Sequence, residues 1–218
     1  MSPLPAGFFN TFDIQAYRKL VLECPVGSTL VEAGAYRGRS LCAAASELLA
    51  REMKVIAVDT CDWSHPDHAN LPPVELDLRS NLSAWGLSQA TSLIKGDAHV
   101  LGKPDGLHMV FLDDNHRFEH VMRAIYHWWP LLPDGGILAG HDYAAGIGRL
   151  PYAEMVAVVH RSFGDRDGSM VYKPVPRSTV WSVTKRPGVA LVPEPEWLAC
   201  VAHPRGQGTE ERGQFDGR

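Results

Sequence analysis

Apolar positions along the chain follow two alternating spacings. Ile14, Tyr17, Leu20 and Val21 recur at helical intervals, which predicts a helix over residues 11–23, capped by Thr11 or Asp13. A short β-branched run at 28–32 follows, then Gly34 and Gly38, then an Ala- and Leu-rich stretch at 40–52 that reads as a helix. Residues 55–59 form a buried strand by length and branching. Residues 61–74 carry loop chemistry, and 75–85 fit a helix. Further strands are predicted at 92–95, 107–112 and 137–140. Phe118, Val121, Met122, Ile125, Trp128 and Trp129 mark one helix face, which Pro130 should end. Pro151 suits the first turn of a helix reaching about residue 163, and 170–172 and 179–184 read as two last strands.

This alternation of strand and helix predicts an α/β fold with a doubly wound, mainly parallel sheet and helices on both faces. With 218 residues, one domain is expected. We divide it into an N-terminal helix and substrate-lid segment (1–27), a ligand-binding domain (28–186) and a C-terminal extension (187–218), disordered from about residue 203. A hydrophobic share of 45% with 21% charged residues excludes a disordered or fibrous chain. The 21 basic against 25 acidic residues argue against a nucleic-acid binder. No apolar run is long enough to span a membrane, and no secretory signal is apparent, so a cytoplasmic setting is expected. Cys24, Cys42, Cys61 and Cys200 lack the spacing of a zinc site or disulfide framework and read as reduced thiols.

In such sheets ligands bind beyond the carboxyl ends of the strands, so the residues after each apolar run matter most. Glu32, Gly34, Gly38 and Ser40 surround the first turn. The spacing lacks the middle glycine of a dinucleotide fingerprint, and an acid there suits a cationic or amine-bearing ligand better than a phosphate. Asp59 ends the second strand, where a carboxylate can accept from both hydroxyls of a ribose. Asp97 ends the third, where it can face an amino group or simply close a turn. Asp113 and Asp114 follow a buried strand, which is costly unless they are solvated, paired or bound to metal. His116 lies three residues past Asp113, placed to act as base or ligand. His141, Asp142 and Tyr143 follow the next strand, and together with Asp113 offer a nitrogen and oxygen donor set for a divalent cation. His65 and His68 sit in the long loop and read as surface residues with access to a pocket; His99, His108, His120, His127, His160 and His203 show no constellation.

The ordered series from Glu32-x-Gly34-x-x-x-Gly38-x-Ser40 through Asp59, Gly96-Asp97 and Asp113–His116 to His141-Asp142-Tyr143 resembles the class I S-adenosylmethionine-dependent methyltransferases. It is most similar to the metal-dependent small-molecule O-methyltransferases of the catechol and sugar/macrolide type, over about residues 28–185. The resemblance implies a Rossmann-like seven-stranded sheet whose last strand is antiparallel. It implies S-adenosylmethionine over Gly34 and Gly38, held by Glu32, Ser40, Asp59, Asp97 and Asp113. A divalent metal such as Mg²⁺ would sit at Asp113, His141 and Asp142. Two positions depart from the family pattern: His141 stands where better-known relatives have an acid, and His116 stands at the place of a catalytic lysine. Imidazole lowers the site's negative charge and favours a softer metal.

The expected reaction is methyl transfer to a hydroxyl of a small molecule: a sugar, polyol or catechol-like acceptor. Metal coordination would lower the hydroxyl pKa, and His116, His141 and Asp142 would carry the catalysis. Phe8, Phe9, Trp63 and Tyr143 are candidate apolar walls. A homodimer is plausible for the family. Three other classes stay open: a metal-dependent hydrolase using the Asp113, His116, His141 and Asp142 cluster, a nicotinamide-dependent oxidoreductase on a similar sheet, and a non-catalytic protein of the S-adenosylmethionine-binding fold serving as a partner subunit.

Overall fold

The computed structural model describes residues 3–144, 150–165 and 168–193. The expectation of disorder from about residue 203 falls outside them. The chain opens with α1 (Thr11–Glu23), β1 (Thr29–Ala33), α2 (Arg39–Ala43), α3 (Ala45–Ala50) and β2 (Lys54–Asp59). It continues through α4 (Val74–Ala84), β3 (Thr91–Lys95), β4 (Leu107–Leu112), α5 (Phe118–Leu131), β5 (Ile137–Gly140), α6 (Leu150–Phe163) and β6 (Trp181–Thr184). Apart from the strand expected at 170–172, the predicted elements are present with small shifts. Asn10 caps α1, not Thr11 or Asp13: its side chain accepts from the Phe12 and Asp13 N–H groups while Asp13 reaches back to the Asn10 N–H, a reciprocal capping box. The Ala-rich helix splits at Ala44, and α5 carries Pro130 within its last turn.

The six strands run in the order β3-β2-β1-β4-β5-β6, parallel except for the β5–β6 pair. The sheet thus has six strands among the described residues, not the seven expected. The run at 170–172 contributes a single antiparallel bridge, Tyr172 to Ser182, beside β6. A bend and turn at 174–177, with two prolines, leave the chain little length over which to pair.

Burial explains why β1, β4 and β5 sit at the centre. Every residue of β1 and β5 is buried, as is all of β4 but His108, so these strands need cover on both faces. Alternate residues divide between two cores. Leu30, Val55, Ala57, Met109 and Phe111 pack under α1, α2 and α4 with Tyr17, Leu20, Leu41 and Leu78. Val31, Val58, Val110, Leu112 and Leu138 pack under α5 and α6 with Ile125, Trp128, Trp129 and Val158. Residues of α1 therefore belong to the main core, while the preceding segment reaches the sheet's carboxyl edge.

Register then sets the site. Ala33 pairs with Val58 and with Leu112, and Leu112 with Gly140. Gly34, Asp59, Asp113 and His141 consequently leave the sheet at one level. Between β1 and β4 the strand order reverses direction, and a cleft opens there.

Candidate active site

One cleft of about 650 Å³ occupies the carboxyl edge of the sheet. Gly34, Ser40, Asp59, Asp97, Asp113, His116, His141 and Asp142 all line it, so residues from five strand ends meet in one place. Glu32 and Gly38 are not among its lining residues. Gly34 is required by the backbone itself. Its φ is +87°, and a Cβ there would stand 2.3 Å from the Asp113 carbonyl oxygen. Gly38, at φ +79°, starts α2, where a Cβ would press on Leu78 Cδ1 at 2.8 Å.

Glu32 lies beneath the cleft floor. Ser40 Oγ donates to its Oε1 at 2.5 Å and the Tyr17 hydroxyl to its Oε2. Burial pushes its carboxyl up to about 7, although both hydroxyls favour the charged form. Asp59 faces the cleft while its oxygens accept from the Tyr36 and Cys61 N–H groups, each at 2.7 Å. Those two bonds hold two left-handed residues, Tyr36 at φ 47° and Cys61 at φ 59°. Asp97 accepts from the His99 N–H at 2.8 Å and from its ring Nδ1 at 2.5 Å.

At the other end stands a cluster of carboxylates and imidazoles. His116 Nε2 lies 2.5 Å from Asp142 Oδ2 and 3.7 Å from Asp113 Oδ1. It is buried and outside hydrogen-bond geometry with either, as donor atoms converging on one point would be. His141 Nδ1 is 3.5 Å from Asp113 and 3.4 Å from Asp142, and its Nε2 is 3.3 Å from Asp13. Phe9 stacks on the His141 ring with centroids 4.6 Å apart. Burial opposes charge on both imidazoles, yet the carboxylates prevail: His116 is carried up to about 10 and His141 well above its ordinary range. Burial would raise Asp142, but His116 and His141 hold it well below the usual carboxylate value. Asp142 itself sits at φ 60°, a strained conformation of the kind found at functional sites.

The donor atoms of Asp113, His116 and Asp142 all lie within 4.8 Å of one another. The tight triad thus includes His116, the residue expected as base, while His141 stands between these carboxylates and Asp13. The set suits a divalent cation: two carboxylates and one imidazole, whose Nε2 is buried.

The cleft is acidic. Five aspartates line it against one arginine, Arg39, whose guanidinium is already committed to the Phe9 and Pro5 carbonyls. A pyrophosphate would meet repulsion there; a cationic ligand would not. Phe8, Tyr36 and Trp63 form an aromatic mouth, with His65 and His68 packed against Phe8. Tyr143 is no part of this wall; its hydroxyl meets His160 Nε2 at 2.5 Å and its ring stacks on His160.

A family model for methyltransferase domains matches residues 31–143, the stretch holding every strand-end motif from Glu32 to Asp142. The chain belongs to the methyltransferase-domain family. Its fold is that of the class I, S-adenosylmethionine-dependent members. Rv0187 from MTB, solved with cofactor bound, superposes with a TM-score of 0.59 at 13% identity, over 84% of each chain. CalS11, a TDP-rhamnose 3′-O-methyltransferase of calicheamicin biosynthesis, gives 0.57 at 16%, over 78% of this chain and 77% of its own. TomG from Streptomyces achromogenes, an O-methyltransferase of tomaymycin synthesis in complex with SAM, gives 0.57 at 14%, over 82% of each. No curated protein sequence matches the chain. Among the described residues of this methyltransferase, no helix is long and apolar enough to cross a membrane.

Two features of the site had little signal in the sequence. Asp13, in the first turn of α1, reaches His141 across the molecule. Arg37 is buried, donates to Asp77, the Pro72 carbonyl and Ser64, and so anchors the 61–74 loop over the cleft. A charged residue inside a Gly-rich turn was the only hint of the latter.

Proposed function

We propose that this methyltransferase moves the methyl group of S-adenosylmethionine onto a hydroxyl of a small molecule, with a divalent cation held by Asp113, His116 and Asp142. The observation that carries this is one acidic cleft, with a donor-binding end at Gly34, Asp59 and Asp97 and a triad at the other. A sulfonium and an ammonium suit five aspartates. A nicotinamide dinucleotide, with its pyrophosphate, does not.

Asp59 retains acceptor capacity beyond its two backbone bonds and would take ribose hydroxyls. Asp97 would lie toward the base. Glu32 acts from below the floor: it fixes the Ser40 hydroxyl, which lines the cleft. A bound divalent cation would lower the pKa of a coordinated hydroxyl. The two roles expected of His116 exclude each other, because ligand and base would both use Nε2. Beside Asp113 and Asp142 and with no cation bound, His116 is carried up to about 10, holds a proton at neutral pH and cannot serve as the base. A cation would have to displace that proton, and the ligand role rests on the place of His116 in the triad. His141, clamped by Asp13, Asp113 and Asp142, keeps both carboxylates in position.

The aromatic mouth bears on the acceptor. Phe8 and Trp63 are 52% and 57% exposed, an apolar surface that gains from being covered. A ring carrying adjacent hydroxyls fits: its flat face against Phe8 and Trp63, its diol toward the triad. Calorimetry with S-adenosylhomocysteine on chelator-treated protein, with and without Mg²⁺ or Mn²⁺, tests the reading. Binding on the order of −8 kcal/mol is expected, with methyl transfer to vicinal diols only when metal is restored. No binding under any metal condition would overturn the donor assignment. Transfer that is indifferent to chelation would overturn the metal.

A further inference from the structure

A second group of metal-ligand residues lies on the Asp97 side of the cleft. His99 follows β3, Asp114 is in the loop after β4, and His120 is in the first turn of α5. Their donor atoms all lie within 4.8 Å of one another. His120 Nε2 is 2.8 Å from Asp114 Oδ2, and the His99 and His120 rings meet edge to face with centroids 4.5 Å apart.

An ordinary ion pair at the start of a helix would explain Asp114 and His120. It does not explain His99. The His99 side chain is only 2% exposed, and its Nε2 is buried with no hydrogen-bond partner. A buried unpaired nitrogen is costly and calls for a partner. Its other nitrogen, Nδ1, lies 2.5 Å from Asp97 Oδ1. That contact sets the proton on Nδ1 and leaves a bare lone pair on the buried Nε2. Carboxylate, imidazole and metal in line is the usual way a ligating histidine is oriented.

We propose that His99, Asp114 and His120 form a zinc site, separate from the Asp113, His116 and Asp142 triad, with Asp97 orienting His99. Two imidazoles and one carboxylate are a zinc donor set; Mg²⁺ and Ca²⁺ prefer oxygen throughout. Three protein ligands leave a fourth position for water. The ion would tie together three segments distant in sequence. Asp97 and Asp114 line the cleft, and Asp114 adjoins Asp113, so zinc would fix the wall between the two ends of the active site. The assignment stands on these side chains and does not depend on which acceptor is methylated.

The test is a zinc titration of the chelator-stripped full chain against a chromophoric competitor, in excess Mg²⁺. One tightly bound zinc per chain is expected. Its affinity should fall by more than about 100-fold in His99→Ala and in His120→Ala, and by about 10- to 100-fold in Asp97→Asn. It should be unchanged in Asp142→Asn. His120 is partly exposed in the first turn of α5, and its replacement should leave the circular dichroism spectrum intact; this separates lost zinc from lost fold. X-ray absorption should show two imidazoles on the ion. Equal affinity in wild type, His99→Ala and His120→Ala would reduce the group to an Asp114–His120 ion pair and overturn the proposal. Loss in Asp142→Asn alone would place the zinc in the other triad and overturn it equally.

Discussion

At the scale of single residues, the site is a set of carboxylates kept apart by their surroundings. Glu32 is raised to about 7 by burial, from an ordinary 4.5. The folded chain therefore binds this proton more tightly than the unfolded chain. Stability should fall as pH rises from about 4.5 to about 7, by on the order of 3 kcal/mol from this group. Urea unfolding of wild type and Glu32→Gln across that range checks it: the variant's curve should be flatter. Asp142 is the opposite case, held charged by two imidazoles. On the proposed metal role, Asp142→Asn should lower turnover by at least about 100-fold. Affinity for S-adenosylhomocysteine, measured by calorimetry, should stay within about 3-fold, since the cofactor end of the cleft is untouched.

At the scale of elements, two glycines of one motif do different work. Gly34 lets the end of β1 pass the backbone after β4, where a Cβ would meet Asp113 O at 2.3 Å. Neither backbone can yield without disturbing the sheet. Gly34→Ala should destabilise the protein by about 3 kcal/mol in chemical denaturation, combining left-handed strain with overpacking. Gly38 meets only the tip of Leu78 at 2.8 Å, a flexible group. Gly38→Ala should cost about 1 kcal/mol, the strain alone, and leave donor affinity nearly unchanged. Equal losses in the two variants would show that the motif acts as one unit. The same close approach exists at Gly140, where a Cβ would stand 2.8 Å from Leu112 O and from Trp181 Nε1.

At the scale of the whole molecule, Asp13 joins both ends of the described chain to the centre. It is 1% exposed. Its Oδ1 accepts from the Ser178 hydroxyl at 2.8 Å and the Thr179 N–H at 2.9 Å, while Oδ2 faces His141. Burial would raise its pKa, yet His141 and the Thr179 N–H hold it below the ordinary value. Its contribution to stability is thus present above about pH 4 and is lost as pH falls through the lowered value. Asp13→Ala leaves His141 and three donors, the Asn10 and Thr179 N–H groups and the Ser178 hydroxyl, facing an unpaired gap, and should destabilise by about 3 kcal/mol at pH 7. Thermal unfolding measures that loss. Turnover should drop as well, because Asp13 is the carboxylate that holds His141 from α1, leaving the Phe9 stack as its remaining support there.

What the sequence determined by itself was the run of strands and helices and the placing of acids at strand ends. Both are local properties: a period of 2 or 3.6, and the residue that follows an apolar run. A parallel sheet then brings Gly34, Asp59, Asp97, Asp113 and His141 to one edge, whatever the detail. The tertiary structure decided the rest. It placed His116 in the triad with Asp113 and Asp142, because the turn at Asp142, with its positive φ, aims the carboxylate. It put Glu32 under the floor, since Tyr17 arrives from a helix that sequence patterns could not dock. It reduced the expected seventh strand to one bridge. It gathered His99, Asp114 and His120 from three segments that share no motif. Spacing along a chain carries no record of such meetings; they are fixed by how helices cross a sheet and which side chains the packing leaves room to pair.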